Sequence, residues 1–363
     1  MQAGLLDTYR RPVSTRKWPA WVISALLMGF YVLLYFPGSA LTPNFPDLIS
    51  PISNALHIPN KWLFYALLYT IGMVGGGVGM LRRHGNSRYH RVRTLTLIGV
   101  QVIMAFLLPW ILLLVVHHDY YLSYFWPLSR YSLYPSTLKD MPLYLAMYFI
   151  VGALVGLPLL AWFKGKRVYC SWICGCGGLA ETFGDPWRHL SDKSNRAWRI
   201  EQVSIYSVLA AILIVTGLML ADAGGTASEP IRGAASKLDS LYGFFVGAIF
   251  SGVAGTGLYP LMGTRVWCRF GCPMAAILGL IQKFGRFRIT VKPDMCIACG
   301  NCSTYCEMGI DVRAYAMTNR DVRRASCVGC GICAHMCPRG VLKLETRDDP
   351  GPQSVVGVWT LDL

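Results

Sequence analysis

Charge is what this 363-residue chain has least of. Only 15% of its residues are Asp, Glu, Lys or Arg, where a soluble domain carries about a quarter. The shortage excludes an ordinary soluble domain, because 54% of the residues are hydrophobic and they lie in long runs. None of those runs holds a Lys, Arg, Asp, Glu or His at its centre; Glu201 and Asp222 stand at run ends. Pumps and ion-coupled carriers need such groups along their pathways, so the pattern speaks against ion transport. Histidine is scarce, and His57, His84, His90, His117, His118 and His189 fall in loops or at run ends. A membrane b-type haem wants histidines inside facing helices, and no C-x-x-C-H motif exists. No small-residue cleavage site clearly follows the first apolar stretch, so no cleavable signal peptide is expected.

Six apolar runs suit a hydrocarbon core of roughly 30 Å. They cover about 19–36, 62–81, 94–116, 142–163, 202–221 and 241–262. The few charges orient them. With the N-terminus in the cytoplasm, all but five of the 34 Lys and Arg residues fall on cytoplasmic segments. The outer loops hold only Lys61, Arg130, Lys139, Arg232 and Lys237. The positive-inside rule is then met on every loop. It accounts for the net charge of +15 without a nucleic-acid partner, though basic loops also suit anionic headgroups or an acidic redox partner. The second run is rich in glycine (Gly72, Gly75, Gly76, Gly77, Gly79), which permits close helix contact. Residues 274–284 read as a short apolar helix along the membrane surface.

Cysteine is abundant, thirteen in all. Cys296, Cys299, Cys302 and Cys306 spell C-x2-C-x2-C-x3-C, and Cys327, Cys330, Cys333 and Cys337 spell it again. That is the bacterial ferredoxin spacing. Soft thiolates hold a four-iron, four-sulfide cubane, and the fourth cysteine of each run crosses to the other cluster. The expected ligand sets are Cys296, Cys299, Cys302 and Cys337 for one 4Fe–4S cluster, and Cys327, Cys330, Cys333 and Cys306 for the second. Gly300, Gly329 and Gly331 let backbone amides approach the sulfides. Pro338 follows the last cysteine of the second run, whereas Glu307 follows that of the first and puts a negative charge beside the second cluster. A zinc site and a disulfide framework are the competing readings of these cysteines. Residues 287–292 and 340–344 read as the first and last strands of the domain, which requires a reducing, cytoplasmic setting.

A shorter motif also repeats. Arg167-Val168-Tyr169-Cys170 leads to Cys174, and Arg265-Val266-Trp267-Cys268 leads to Cys272-Pro273. Both read R-V-[YW]-C-x3-C and each follows an apolar run. This is an internal duplication of a two-span unit that ends in a cysteine pair. Three readings stand. Cys170, Cys174, Cys268 and Cys272 hold a third iron–sulfur centre at the membrane surface; or they pack helix ends as free thiols; or they form a redox-active thiol pair near a quinone. Cys176 is an alternative to Cys174 as a ligand.

Together these motifs resemble the polytopic membrane ferredoxins. That family includes the quinol-dehydrogenase component of periplasmic nitrate reductase, the C-terminal half of the nitrous-oxide-reductase maturation flavoprotein, and the oxidase-assembly polyferredoxins. Cys268-x3-Cys272-Pro273 fits the family's paired motif, and Cys170-x3-Cys174 fits it except that Gly175 replaces proline. The resemblance covers roughly residues 142–345. A flavin domain like that of the maturation protein is not expected from these residues, and Gly225-Thr226-Ala227-Ser228 only faintly echoes a flavinylation motif.

The expected architecture is an α-helical polytopic membrane protein of six spans, with both termini inside and a small α+β bacterial-type ferredoxin domain. Its parts are 1–141 with three spans, 142–286 with the two duplicated units, 287–345 for the ferredoxin domain, and an extended tail over 346–363. The expected function is electron transfer in a bacterial inner membrane, between the quinone pool and a redox partner protein within a larger respiratory complex. As an enzyme it would be a quinol dehydrogenase or oxidoreductase subunit. Two places suit a quinone: His117-His118-Asp119-Tyr120 at the outer end of the third run, where an aromatic belt explains the tyrosines equally well, and the inner Asp185-Pro186-Trp187-Arg188-His189. The rival reading is an assembly factor that donates electrons during maturation of a respiratory metalloenzyme. A third is a membrane anchor for a soluble dehydrogenase.

Overall fold

Length and apolarity dominate the secondary structure. The computed structural model describes residues 17–39, 41–118, 120–225 and 229–346. Among these, six helices are long and apolar enough to cross a membrane: Trp18–Tyr35, Lys61–His84, Arg88–Val116, Leu143–Lys164, Asn195–Ala223 and Ile231–Gly257. They are numbered here as the first to sixth spans. The Asn60 side chain caps the second span by accepting from the Leu63 amide, and Ser194 caps the fifth in the same way through Ala197. Arg82, Arg83 and His84 close the second span, where cations complement the helix dipole. Leu26, Ile71, Leu114, Leu143, Val203 and Ile214 remain exposed on the outside of the bundle, as side chains facing lipid must.

The helices differ from the expected runs at their ends. The fifth starts at Asn195, which puts Glu201 inside it. The sixth ends at Gly257, and Tyr259–Met262 forms a separate turn around Pro260, which cannot continue the ladder. The third, fourth and sixth spans each contain a π-helical stretch: Val102–Leu107, Gly152–Gly156 and Gly243–Ala254. Such widened turns make room for groups inserted from the side. At Gly152 the inserted group is the Phe125 ring, which occupies the space a Cβ would need.

Phe125 belongs to the loop before the fourth span, and this loop folds inward. Tyr148 of the fourth span donates to the Leu122 carbonyl at 2.9 Å, and Trp126 reaches Thr216 of the fifth span at 3.0 Å. The loop after the fourth span also folds inward, from the opposite end. Its helix Gly175–Glu181 packs between the second and third spans. A side chain at Gly76 would collide with the Thr182–Phe183 backbone, so part of the glycine content of the second span has a packing reason. The two loops meet: Tyr169 donates to the Ser123 carbonyl at 2.8 Å. A 22-residue helix separates their starting points, about 33 Å at 1.5 Å per residue. The expectation that the first cysteine pair lies at the membrane surface is therefore corrected, because this segment is drawn into the helix bundle.

A second correction concerns the apolar helix Pro273–Phe284. It does not lie along a surface. Met274, Ala275, Ala276, Leu278, Gly279 and Gln282 are buried, packed against the fourth and fifth spans. Gln282 donates to the Cys327 carbonyl at 2.9 Å and accepts from the Lys166 amide at 2.8 Å, which makes the helix a coupling between the spans and the ferredoxin runs.

The chain then forms strand β1, Phe287–Val291, which pairs antiparallel with β2, Leu342–Thr346, in the register Phe287 to Thr346 and Ile289 to Leu344. The two cysteine runs lie between these strands, each with one short helix, Asn301–Thr304 and Ile332–His335. The expected tail over 346–363 lies outside the described residues apart from Thr346, which ends β2.

Candidate iron–sulfur centres

The two ferredoxin runs have matching backbones. Ala298 and Gly300 take φ of 56° and 80°, and the equivalent Gly329 and Gly331 take 60° and 80°. These left-handed turns aim successive amides toward one point, a nest suited to inorganic sulfide. Ala298 adopts the conformation that glycine supplies in the second run.

Cys296, Cys299, Cys302 and Cys337 line one small cavity, together with Pro338, Arg313 and Arg339. This is the set expected for the first cluster, with Cys337 contributed by the second run. Burial pushes the Cys302 thiol up to about 12, with Cys296 and Cys299 among the contributors. In the other set, burial raises the Cys333 thiol well above its ordinary value, and Cys330, Cys327 and Cys306 add to the rise. Cys306 and Cys302 of the first run thus both lie within electrostatic reach of Cys333. All thirteen cysteines are unbridged. Among the described residues no three His, Cys, Asp or Glu side chains close on a single metal ion. A cubane places four irons and four sulfides between its thiolates, so its ligands stand further apart than those of one zinc ion at about 2.3 Å from each sulfur.

The membrane cysteines also converge. Cys170, Cys174, Cys268 and Cys272 are buried. Burial pushes the Cys170 thiol up to about 12, and nearby Cys174 and Cys268 contribute. Cys272 is raised further, by burial and then by Cys268, Cys174 and Cys170. Cys174 moves the other way, to about 7, chiefly through a hydrogen bond from the Cys176 thiol. Four thiols within one another's electrostatic reach, with a fifth bonded to the set, fit the donor chemistry of an iron–sulfur centre. Ligation would replace these buried thiols by thiolates and release their protons.

What the sequence reading missed is the charge between these sets. Arg265 Nη1 stands 3.7 Å from Cys268 Sγ, and its Nη2 contacts Glu181 at 2.5 Å and Glu307 at 2.9 Å. Arg188 contacts the other oxygen of Glu307 at 3.3 Å and stands 3.9 Å from Cys330 Sγ. Arg93 contacts Glu181 at 2.8 Å and donates to the Cys330 carbonyl. Burial would raise the Glu307 carboxyl, but Arg265 and Arg188 overrule it and hold it at about 2. For Glu181 burial wins over Arg93, and its carboxyl is raised. The signal available in sequence was the arginine of each R-V-[YW]-C motif and the unusual Glu307; their partners are not readable from it. The third span contributes a further contact: Tyr89 donates to the Gly329 carbonyl at 3.0 Å.

The candidate quinone residues divide. His117 and His118 are exposed at the end of the third span, and Asp119 lies outside the described residues. Asp185 is not open to a ligand, because Arg83 and Arg188 hold it at 2.7 and 3.1 Å. Thr226, Ala227 and Ser228 lie outside the described residues.

A helical bundle of membrane type joined to cysteine-rich ferredoxin runs defines the class, and comparison with known proteins agrees. One family model, described as a 4Fe-4S binding domain, matches residues 145–200 and again 242–292. These are the two duplicated units. A second 4Fe-4S binding domain model matches 321–343. The chain is 26% identical over 190 residues to YccM of Escherichia coli, named as an electron transport protein, covering 50% of this chain and 51% of YccM. It is 28% identical over 173 residues to the regulatory protein NosR of Stutzerimonas stutzeri, covering 44% of this chain and 22% of NosR. It is 29% identical over 165 residues to the methylamine utilization ferredoxin-type protein MauN of Methylobacillus flagellatus, covering 42% of this chain and 54% of MauN. The matched part thus spans about half of YccM and MauN and about a fifth of NosR. No solved structure matches the chain. The likeness to membrane ferredoxins stands, and the chain carries 4Fe-4S binding domains.

Proposed function

We propose that the chain passes electrons between the quinone pool and a redox partner protein through three iron–sulfur centres. Cys296, Cys299, Cys302 and Cys337 hold one 4Fe–4S cluster, and Cys327, Cys330, Cys333 and Cys306 hold the second. Cys170, Cys174, Cys268 and Cys272 hold the third centre, with Cys176 able to replace Cys174. The observation that carries this reading is a shared core: Cys170, Cys174, Cys268 and Cys272 belong to one buried cluster with Cys302, Cys306, Cys327, Cys330 and Cys333, and Cys296 and Cys337 pack against it. Four-iron clusters, when bound, supply one-electron redox chemistry, so a two-electron quinol couple is divided into single transfers.

The chain's own residues set the rest. Burial keeps water from Cys170, Cys174, Cys268 and Cys272 and from Cys306, Cys327, Cys330 and Cys333, Arg265 and Arg188 place positive charge beside Cys268 and Cys330, and the nests at Ala298–Gly300 and Gly329–Gly331 offer amides. The excess of Lys and Arg on alternate loops supports a topology with the termini and residues 287–345 on the cytoplasmic side of a bacterial inner membrane. The domain layout we propose is 1–141, 142–286 and 287–345, with the third span meeting the second ferredoxin run through Tyr89 and Arg93. The test is reduction of anaerobically purified full-length protein by a short-chain quinol, followed by visible bleaching. Clusters reducible by dithionite but by no quinol, alone or with partner proteins, would sink the quinol half.

A further inference from the structure

Between the membrane cysteines and the second ferredoxin run lies a closed ring of alternating charge. One arm runs Cys268, Arg265, Glu307, Arg188, Cys330, and the other runs Arg265, Glu181, Arg93 to the Cys330 carbonyl. All five charged side chains are at most 1% exposed. Stability alone does not call for such a ring, because well-packed apolar residues commonly replace buried ion pairs without loss. Nor does ligation call for a carboxylate after Cys306, since Pro338 fills the equivalent place after Cys337. The charge sits where one carboxylate touches both guanidiniums, and each guanidinium faces a sulfur of a different cysteine set.

We propose that Glu307 is a shared counter-charge that sets the reduction potentials of the membrane centre and the second ferredoxin centre together. The inference rests on the reading that the membrane cysteines hold a centre. A guanidinium beside a cysteine sulfur favours the reduced, more negative state of whatever that sulfur ligates. A carboxylate bonded to the same guanidinium offsets that effect. In a site closed to solvent neither charge is screened by salt, so removal of the Glu307 charge takes a counter-charge from both guanidiniums at once, leaving Arg265 with Glu181 and Arg188 with Asp185. Glu307 is thereby a positioning residue for two centres.

The experiment is an anaerobic potentiometric titration, read by EPR, of the full-length protein in detergent as wild type, Glu307→Gln, Glu307→Asp and Glu181→Gln. In Glu307→Gln both midpoints move positive, each by at least a tenfold change in the oxidised-to-reduced ratio, about 59 mV for a one-electron couple. Glu307→Asp, which keeps the charge, stays near wild type. Glu181→Gln, on the other arm, also moves both midpoints positive. A shift confined to the centre beside Cys306 would overturn the proposal, as would no shift in either. Loss of iron from both Gln variants would also overturn it, because the ring would then be structural. Wild-type protein with no third signal would instead sink the membrane-centre reading, which separates the two failures.

Discussion

Replacing Glu201 by Ala opens the seam between the fifth span and the ferredoxin domain. Glu201 Oε2 contacts Arg269 Nε at 2.6 Å, and Oε1 accepts from the Ser326 hydroxyl. Glu201 and Arg269 are each 4% exposed. In Glu201→Ala the guanidinium keeps the Asp192 carbonyl but loses its counter-charge, and Ser326 loses this acceptor. Removing one partner of a buried pair costs about 3–5 kcal/mol. The remaining Asp192 contact argues for the lower end, so the seam weakens by about 3 kcal/mol. At about 1.4 kcal/mol per factor of ten, that is roughly a 100-fold rise in the opening equilibrium. Hydrogen exchange reads this directly, since amides that need the seam to open exchange in proportion to the open population. The amides flanking Ser326 and those in the first turns of the fifth span then exchange roughly 100-fold faster than in wild type, while the second span is unchanged. Glu201→Gln retains an acceptor for Ser326 and falls between. Exchange in Glu201→Ala within about threefold of wild type would refute the energetic reasoning.

Gly177 lies against the Cys170 carbonyl, and a Cβ there collides with it and crowds Arg265. Gly177→Val therefore displaces Cys170, and iron analysis finds the loss confined to the membrane centre. Cys337→Ser removes the EPR signal of the cluster in the first-run cavity, and Cys306→Ser removes that of the second; the reverse assignment would show that the fourth cysteines do not cross. Gly331 takes φ of 80° with Tyr89 and Leu344 where its Cβ would stand. Gly331→Ala costs about 1–3 kcal/mol and lowers the thermal midpoint for loss of visible cluster absorbance. Reporter fusions at the two ends of the chain both respond on the cytoplasmic side, and opposite responses would overturn the proposed orientation.

The ferredoxin runs were legible because their chemistry is local: eight cysteines at fixed spacing carry the expected ligand sets without knowledge of the fold. The spans were legible because lipid demands uninterrupted apolar length. The charged ring was not, since Arg265 finds Glu181 and Glu307 at sequence separations of 84 and 42, and periodicity carries no information about such pairs. Burial of Pro273–Phe284 was hidden for a similar reason. An apolar helix beside a membrane reads as interfacial until the domain that covers it, through Gln282 and Cys327, is placed. Inward folding of 120–128 and 166–190 was missed because loops rich in Tyr, Trp and Gly read as interface rather than core. Glu201 reads as a span end in sequence, and its contacts with Arg269 and Ser326 make it a tether.

The central claim is that electrons reach the ferredoxin domain through a centre held by the membrane cysteines. Its most direct test is iron and acid-labile sulfide per chain on anaerobically purified protein, with EPR of the reduced sample and of Cys268→Ser. The account predicts iron clearly above the roughly eight atoms that two cubanes contain, and an additional signal that Cys268→Ser abolishes while both ferredoxin signals remain. Eight irons and a spectrum unchanged by Cys268→Ser would contradict it, and would leave the membrane half as an anchor with buried thiols.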